Sequence, residues 1–317
     1  MQISRSKTIR RAPRIAGAGA TARRRRTGLL LAALAALVGP WSGLGDQATA
    51  DPSRSDSARG EAGWPTEVNA VYRITFGGLD IGRFRFQSKV DAANYSLSGF
   101  ADIRAPLGAF EWKGTTNSAG TALGGGPKPT AYTFNFNSSA IIGRDKSGLV
   151  KMGFKDGAVS SLSVAPLKPP PPDAVPVRDE HKRNVLDPLS AVMALSLGST
   201  QRPCDRKLQV FDGKQRFDLA LSFRRQQRIA EARPSGQPGV GFVCRVRYTP
   251  IAGYRQNEET KNFAENGNIE ISLRPVPSAN LVVPYQVTIP VGAGTAMLTA
   301  ERVDITTKGR GQIALTH

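Results

Sequence analysis

Histidine and cysteine are scarce in this chain of 317 residues, which has only His181 and His317, Cys204 and Cys244. Two histidines remove most imidazole catalysis and most metal sites built on ring nitrogens. Two cysteines are too few for a zinc site of four thiolates or for a disulfide-dense scaffold. The 33 Gly and 22 Pro follow no strict period, which excludes a collagen-like chain, and 40% hydrophobic residues are too many for a wholly disordered one. There is no HExxH, GxSxG, CxxC or P-loop, and no GxGxxG leading from a strand into a helix. Long apolar runs are missing too. The stretch from Gly28 to Gly39 falls short of the roughly 20 residues that span a bilayer.

What that stretch does match is an export signal. Arg5, Lys7, Arg10, Arg11, Arg14 and the run Arg23 to Arg26 precede it, and Pro40, small residues and Ala48-Thr49-Ala50 follow. A basic n-region, a short apolar region and an Ala-x-Ala site predict cleavage near Ala50 and a periplasmic or secreted product. The sequence leaves open whether the general or the twin-arginine route is used. The whole chain carries a formal net charge of +18; without residues 1–50, which hold nine Lys and Arg and one acidic residue, 34 basic and 24 acidic residues give +10. Such an excess suits anionic headgroups or envelope polymer, and export argues against nucleic acid as a partner. In an oxidising compartment two cysteines without CxxC spacing are expected to pair, giving a Cys204–Cys244 disulfide.

Residues 51–69 are polar and aperiodic, a flexible lead-in. From Val71 the pattern becomes one of strands. Tyr72, Ile74 and Phe76 alternate with Arg73 and Thr75; after Gly77-Gly78, Phe84 and Phe86 alternate with Arg83, Arg85 and Gln87. Period-two alternation predicts a half-buried antiparallel hairpin with aromatics on one face and cations on the other. Further strands are expected near 95–103, 111–117, 131–137, 149–154 and 159–164, completing a first β half over 70–165. Residues 166–183, with Pro169 to Pro172, form a linker or surface crossing. A second half over 184–310 opens on a short helix: Asp187 is placed to N-cap, Pro188 suits the first helical position, Leu189, Val192, Met193 and Leu197 recur at helical spacing, and Gly198 ends it. Strands follow near 208–211, 217–223, 226–233, 242–248, 269–273, 282–289 and 296–305, with Asp212-Gly213 as a turn and Gln256 to Asn268 as a mobile hairpin loop. The fold expected is β-rich, with curved antiparallel sheets in two halves, open-barrel or sandwich-like, and one short helix.

The exported Val71-Tyr72-Arg73-Ile74 strand followed by Gly82, the Leu186-Asp187-Pro188-Leu189-Ser190-Ala191 helix entry and Val210-Phe211-Asp212-Gly213 come in a recognisable order. So do the Cys244 strand leading to Pro250-Ile251-Ala252-Gly253 and the late Leu281-Val282-Val283-Pro284. In that order they resemble the bacterial envelope proteins grouped as domain of unknown function 3108, over roughly residues 70 to 305. The resemblance implies export and a β-rich fold and brings no catalytic residues.

No catalytic or metal-binding set emerges from the residues, and no cofactor is expected. His181 lies in the charged run Arg178 to Arg183, Asp187 is accounted for by its helix and Asp212 by its turn. What remains is an apolar face offered by Tyr72, Ile74, Phe76, Phe84 and Phe86 and by Phe217, Leu219, Leu221 and Phe223. It is either a closed core or, with the helix as a lid, a pocket. The leading expectation is a non-enzymatic role. The protein binds, carries or scaffolds an amphiphilic envelope component such as a lipid, with peripheral membrane or envelope-protein contact and with Arg73, Arg83 and Arg85 as candidate contacts for anionic groups. The alternative is a carboxylate-dependent hydrolase acting on envelope polymer.

Overall fold

The computed structural model describes residues 64–317 except 106–107, 123–125, 142–143, 198–199, 292–293 and 310. The expected export signal, most of the expected lead-in and Gly198 lie outside the described residues. Fourteen strands, all paired antiparallel, form one sheet among the described residues. They are β1 (Glu67–Phe76), β2 (Leu79–Asp91), β3 (Asn94–Arg104), β4 (Phe110–Ala122), β5 (Pro127–Ala140), β6 (Lys146–Lys155) and β7 (Ala158–Ala165), then β8 (Arg206–Phe211), β9 (Arg216–Arg228), β10 (Val240–Ala252), β11 (Ile269–Val276), β12 (Leu281–Val291), β13 (Gly294–Thr307) and β14 (Gly311–Thr316). Helix α1 spans Pro188–Ser196 and α2 spans Glu258–Asn266. Across the sheet the order is β7-β6-β5-β4-β3-β2-β1-β13-β12-β11-β10-β9-β8, with β14 beside β13. The first seven strands thus form one run, β8 to β13 a second, and the two meet where β1 pairs with β13.

Local chemistry explains the turns. Gly77 and Gly78 both have positive φ, 55° and 86°, the conformation a two-residue hairpin loop needs at both central positions. At the β8–β9 turn the Asp212 carboxylate accepts from the backbone N–H of Lys214 (2.7 Å) and Gln215 (2.6 Å), and Gly213 supplies φ 93°.

The two edges of the sheet do not pair with each other. Residues 183–187 run between them. Leu186 N–H donates to the Gln209 carbonyl (2.8 Å) and its own carbonyl accepts from Phe211 (2.9 Å), while Asn184 N–H donates to Gly157 (2.7 Å) and Arg183 bridges to Ala158. This short segment covers backbone groups that would otherwise be an open edge. The proline-rich stretch is exposed, and beyond its last consecutive proline residues 173–175 hydrogen-bond to residues 253–256. Consecutive prolines have no N–H to offer a ladder.

Helix α1 enters the concave side and is apolar on both flanks, as a helix buried all round must be. Ala191 and Leu195 pack with Cys204, Val210, Phe217 and Cys244; Leu189 and Met193 pack with Tyr95, Leu97, Val150, Met152 and Phe211. The helix therefore joins the apolar interiors of the two strand runs. Cys204 and Cys244 form the expected disulfide, and Cys244 faces inward at 0% exposure.

Three elements differ from the sequence reading. Residues Gln256 to Asn268 hold α2, whose first N–H groups are met by Asn257 Oδ1 accepting from Thr260 (2.8 Å) and whose first turn carries Glu258 and Glu259. The strand expected over 226–233 is the end of β9 followed by a loop. Strand β14 was not anticipated.

That loop is held by an unusual residue, Arg274 on β11, which is fully buried. Its guanidinium donates to Glu231 Oε1 (2.6 Å), Ser235 Oγ (3.2 Å), the Pro238 carbonyl (3.1 Å) and His317 Nε2 (2.8 Å). A buried cation is tolerable only when paired and hydrogen-bonded to this extent.

Candidate functional site: an apolar cavity beneath α1

The second half of α1 stands over a cavity of about 160 Å³. Val192, Met193, Leu195 and Ser196 form its roof. The floor comes from alternate residues of adjacent strands: Val68, Ala70 and Tyr72 on β1, Phe84, Phe86 and Ser88 on β2, Leu298 and Val303 on β13. One wall comes from residues 281–284 and Val287 of β12, and Trp64 and Pro65 stand at its margin. Period-two alternation on β1 and β2 aims one apolar set at this space from both strands of the hairpin. No charged side chain is among the lining residues. The Tyr72 hydroxyl is engaged by the Pro284 carbonyl at 3.0 Å, and burial raises its pKa, which keeps it neutral. Apolar cavities of about 150 Å³ stay dry and accept a benzene-sized guest. The space thus suits a segment of hydrocarbon.

The first turn of the same helix is polar and closed. Asp187 Oδ1 accepts from the N–H groups of Leu189 and Ser190 (3.0 Å each); Oδ2 accepts from Ser190 Oγ (2.5 Å) and Ser118 Oγ on β4 (2.8 Å). The Tyr95 hydroxyl on β3 lies 2.7 Å from Ser190 Oγ. Asp187 and Ser190 are both 0% exposed. Burial raises the Asp187 pKa against the pull of these hydrogen bonds, and it pushes Tyr95 up to about 12. Each carboxylate oxygen thus has two donors, so the group anchors the helix to β3 and β4. Asp187 caps as its place before Pro188 predicts. Ser118 and Tyr95 escaped the sequence reading because their partners are distant in the chain.

The remaining candidates fall in several places. Tyr72, Phe84 and Phe86 reach the cavity. Ile74 is buried beside it, packed with Ile103, Trp112 and Leu298, whereas Phe76 is partly exposed at the hairpin end. Phe217 is core, Leu219 and Leu221 pack against it, and Phe223 is exposed. The β9 set therefore does not join the β1–β2 set in one pocket. Arg73 and Arg83 stand on the other face of the hairpin, where Glu301 pairs with both (2.6 and 2.8 Å) and Asp80 with Arg83 (2.7 Å). A β-bulge opposite Val71 and Tyr72 places Glu301 there. Arg85 is exposed. Among the described residues no group of three or more His, Cys, Asp or Glu is arranged to hold a metal ion.

A family model described as "Protein of unknown function (DUF3108)" matches residues 71–299. Among solved structures, the chain is similar to a beta-barrel-like protein of domain of unknown function DUF1849 from Brucella abortus. The identity is 12% and the TM-score 0.49, over 76% of this chain and 98% of that one. No curated protein matches.

Proposed function

The chain belongs to the family of proteins of unknown function DUF3108, and from that premise we propose that it binds or carries an amphiphilic envelope component, holding part of its apolar chain beneath α1. The observation that carries this reading is the uncharged cavity under the last turns of α1, floored by Tyr72, Phe84 and Phe86. The reading places the mature protein in the periplasm or outside the cell, after cleavage near Ala50. The Cys204–Cys244 disulfide supports that placement, since such bonds persist in oxidising compartments. The headgroup stays outside the cavity, which offers no charge to meet it. Arg73 and Arg83, already engaged by Glu301 and Asp80 on the opposite face, are not its partners in this reading.

The alternative, a hydrolase of envelope polymer working through carboxylates, gains nothing from Asp187, which is sealed from solvent and saturated with donors. The test is titration of the protein with a fluorescent long-chain fatty acid. Saturable binding that weakens about tenfold in Val192→Phe, whose ring fills the roof of the cavity, is the expected result. Absence of saturable binding, or equal binding by the filled variant, overturns the reading.

A further inference from the structure

We infer that one end of the sheet, where β1 and β5 end and β2 and β6 begin, docks on the surface of a lipid bilayer through Phe76, Leu79 and Ile141; this rests on the carrier reading above. The strand register puts these residues at one level. Gly82 pairs with Ile103, Arg104 with Glu111 and Phe110 with Ala140, so the ends of β1, β3 and β5 and the starts of β2, β4 and β6 stand side by side, and Ile141 N–H donates to the Ala109 carbonyl at 3.3 Å. From the β1–β2 pair to the β5–β6 pair is about four strand spacings, ~19 Å. Phe76, Leu79 and Ile141 are 38%, 59% and 74% exposed. Other large exposed apolar side chains among the described residues are spread over the edge strand β7, the proline-rich crossing, β9 and β10. Single exposed apolar residues are ordinary, but several at one level of one sheet end are a surface feature.

Three properties point to lipid as the occupant. The apolar groups sit at turns, where a tip can enter the headgroup boundary while the strand ladders behind it keep their backbone groups paired. Charge at this end is of mixed sign: Asp80 pairs with Arg83, Asp102 with Arg104, and Arg144, Asp145 and Lys146 follow one another after Ile141. A polyanion would find little net attraction there. Finally, apolar packing extends from the cavity toward this end. Phe84 and Leu298 line the cavity and also belong to the apolar cluster of Ile74, Trp112, Phe110 and Phe136 that extends toward this end.

The experiment is flotation of the protein with phosphatidylcholine vesicles at low and at molar salt, comparing the natural chain with the double variant Leu79→Asp/Ile141→Asp. Both positions are exposed, and matching urea unfolding curves confirm that the variant is folded. Expected is flotation of the natural chain at both salts and a partition lower by more than about tenfold in the variant, with fatty-acid binding kept. Docking is overturned if the natural chain stays with the unbound fraction, if the variant floats equally, or if molar salt abolishes flotation. It is also overturned if sedimentation shows a dimer that the variant breaks, since a second copy is then the occupant. Flotation without fatty-acid binding overturns the carrier reading and leaves the docking surface standing.

Discussion

Asp187 and Val192 are less than two turns apart on one helix, yet their surroundings have opposite character. At Asp187 every oxygen is engaged, by two backbone N–H groups and the hydroxyls of Ser190 and Ser118. At Val192, Met193, Leu195 and Ser196 the helix faces about 160 Å³ of unfilled apolar space. Buried polar groups tolerate one geometry only, because a lost partner leaves a desolvated donor or acceptor. Apolar contact is non-directional, so a space lined by hydrocarbon can stand empty or accept a guest at small cost. One end of α1 is thus suited to fixing position and the other to exchange.

The largest expected effect comes from the tether beyond the apolar end. Replacing Cys204 and Cys244 by Ala removes a crosslink spanning 40 residues between the chain that follows α1 and β10. A loss of ~4 kcal/mol in urea unfolding is expected, with weaker fatty-acid binding as the roof loses its support. Asp187→Ala attacks the other end, leaves two N–H groups without an acceptor and forces the Ser190 and Ser118 hydroxyls to rely on each other and on Tyr95. A loss of ~3 kcal/mol is expected, whereas Asp187→Asn keeps an acceptor for the helix N–H groups and costs about 1 kcal/mol by the same measurement. Equal losses for the two variants would mean that the charge itself, rather than the cap, holds the helix.

A polar cluster away from α1 supplies a control. Burial first, then the charge of Arg274, draws the His317 pKa from 6.5 down to about 4. A depressed pKa means that the folded state favours the neutral ring, so its stabilisation is present above pH 6.5 and is lost as the pH falls toward 4. Urea midpoints are expected to drop across that window by the equivalent of ~2 kcal/mol, less in His317→Gln, while fatty-acid affinity of the folded protein stays level. The smallest stability effect belongs to Val192→Phe. Filling a void near solvent changes unfolding by less than about 1 kcal/mol, yet fatty-acid binding falls about tenfold. A large loss of stability there would show that the roof is as tightly specified as the cap.

Much of this was legible in residue order. Alternation at Tyr72, Ile74, Phe84 and Phe86 marked the first hairpin, Asp187-Pro188 marked the helix start, and two cysteines in a chain read as carrying an export signal marked the disulfide. Pairings across the chain were not legible: Ser118 and Tyr95 are ordinary strand residues until the sheet curls them over Ser190. The location of the cavity was hidden for a related reason. The sets on β1–β2 and on β9 have the same alternation, and only sheet curvature and the path of α1 decide that one floors a cavity while Phe217 on the other is sealed at 1% exposure. Helix α2 did carry a local signal, Asn257 three residues before Thr260 with Glu258 and Glu259 in the first turn, but its polar composition masked it.

The most direct test of the cavity's role is native mass spectrometry of the protein purified gently from the cells that make it, beside its Val192→Phe variant. Expected is an added mass in the lipid range on the natural protein that is absent or much reduced on the variant. A bare polypeptide mass for both, together with no fatty-acid binding on titration, would contradict a cavity that holds an amphiphile.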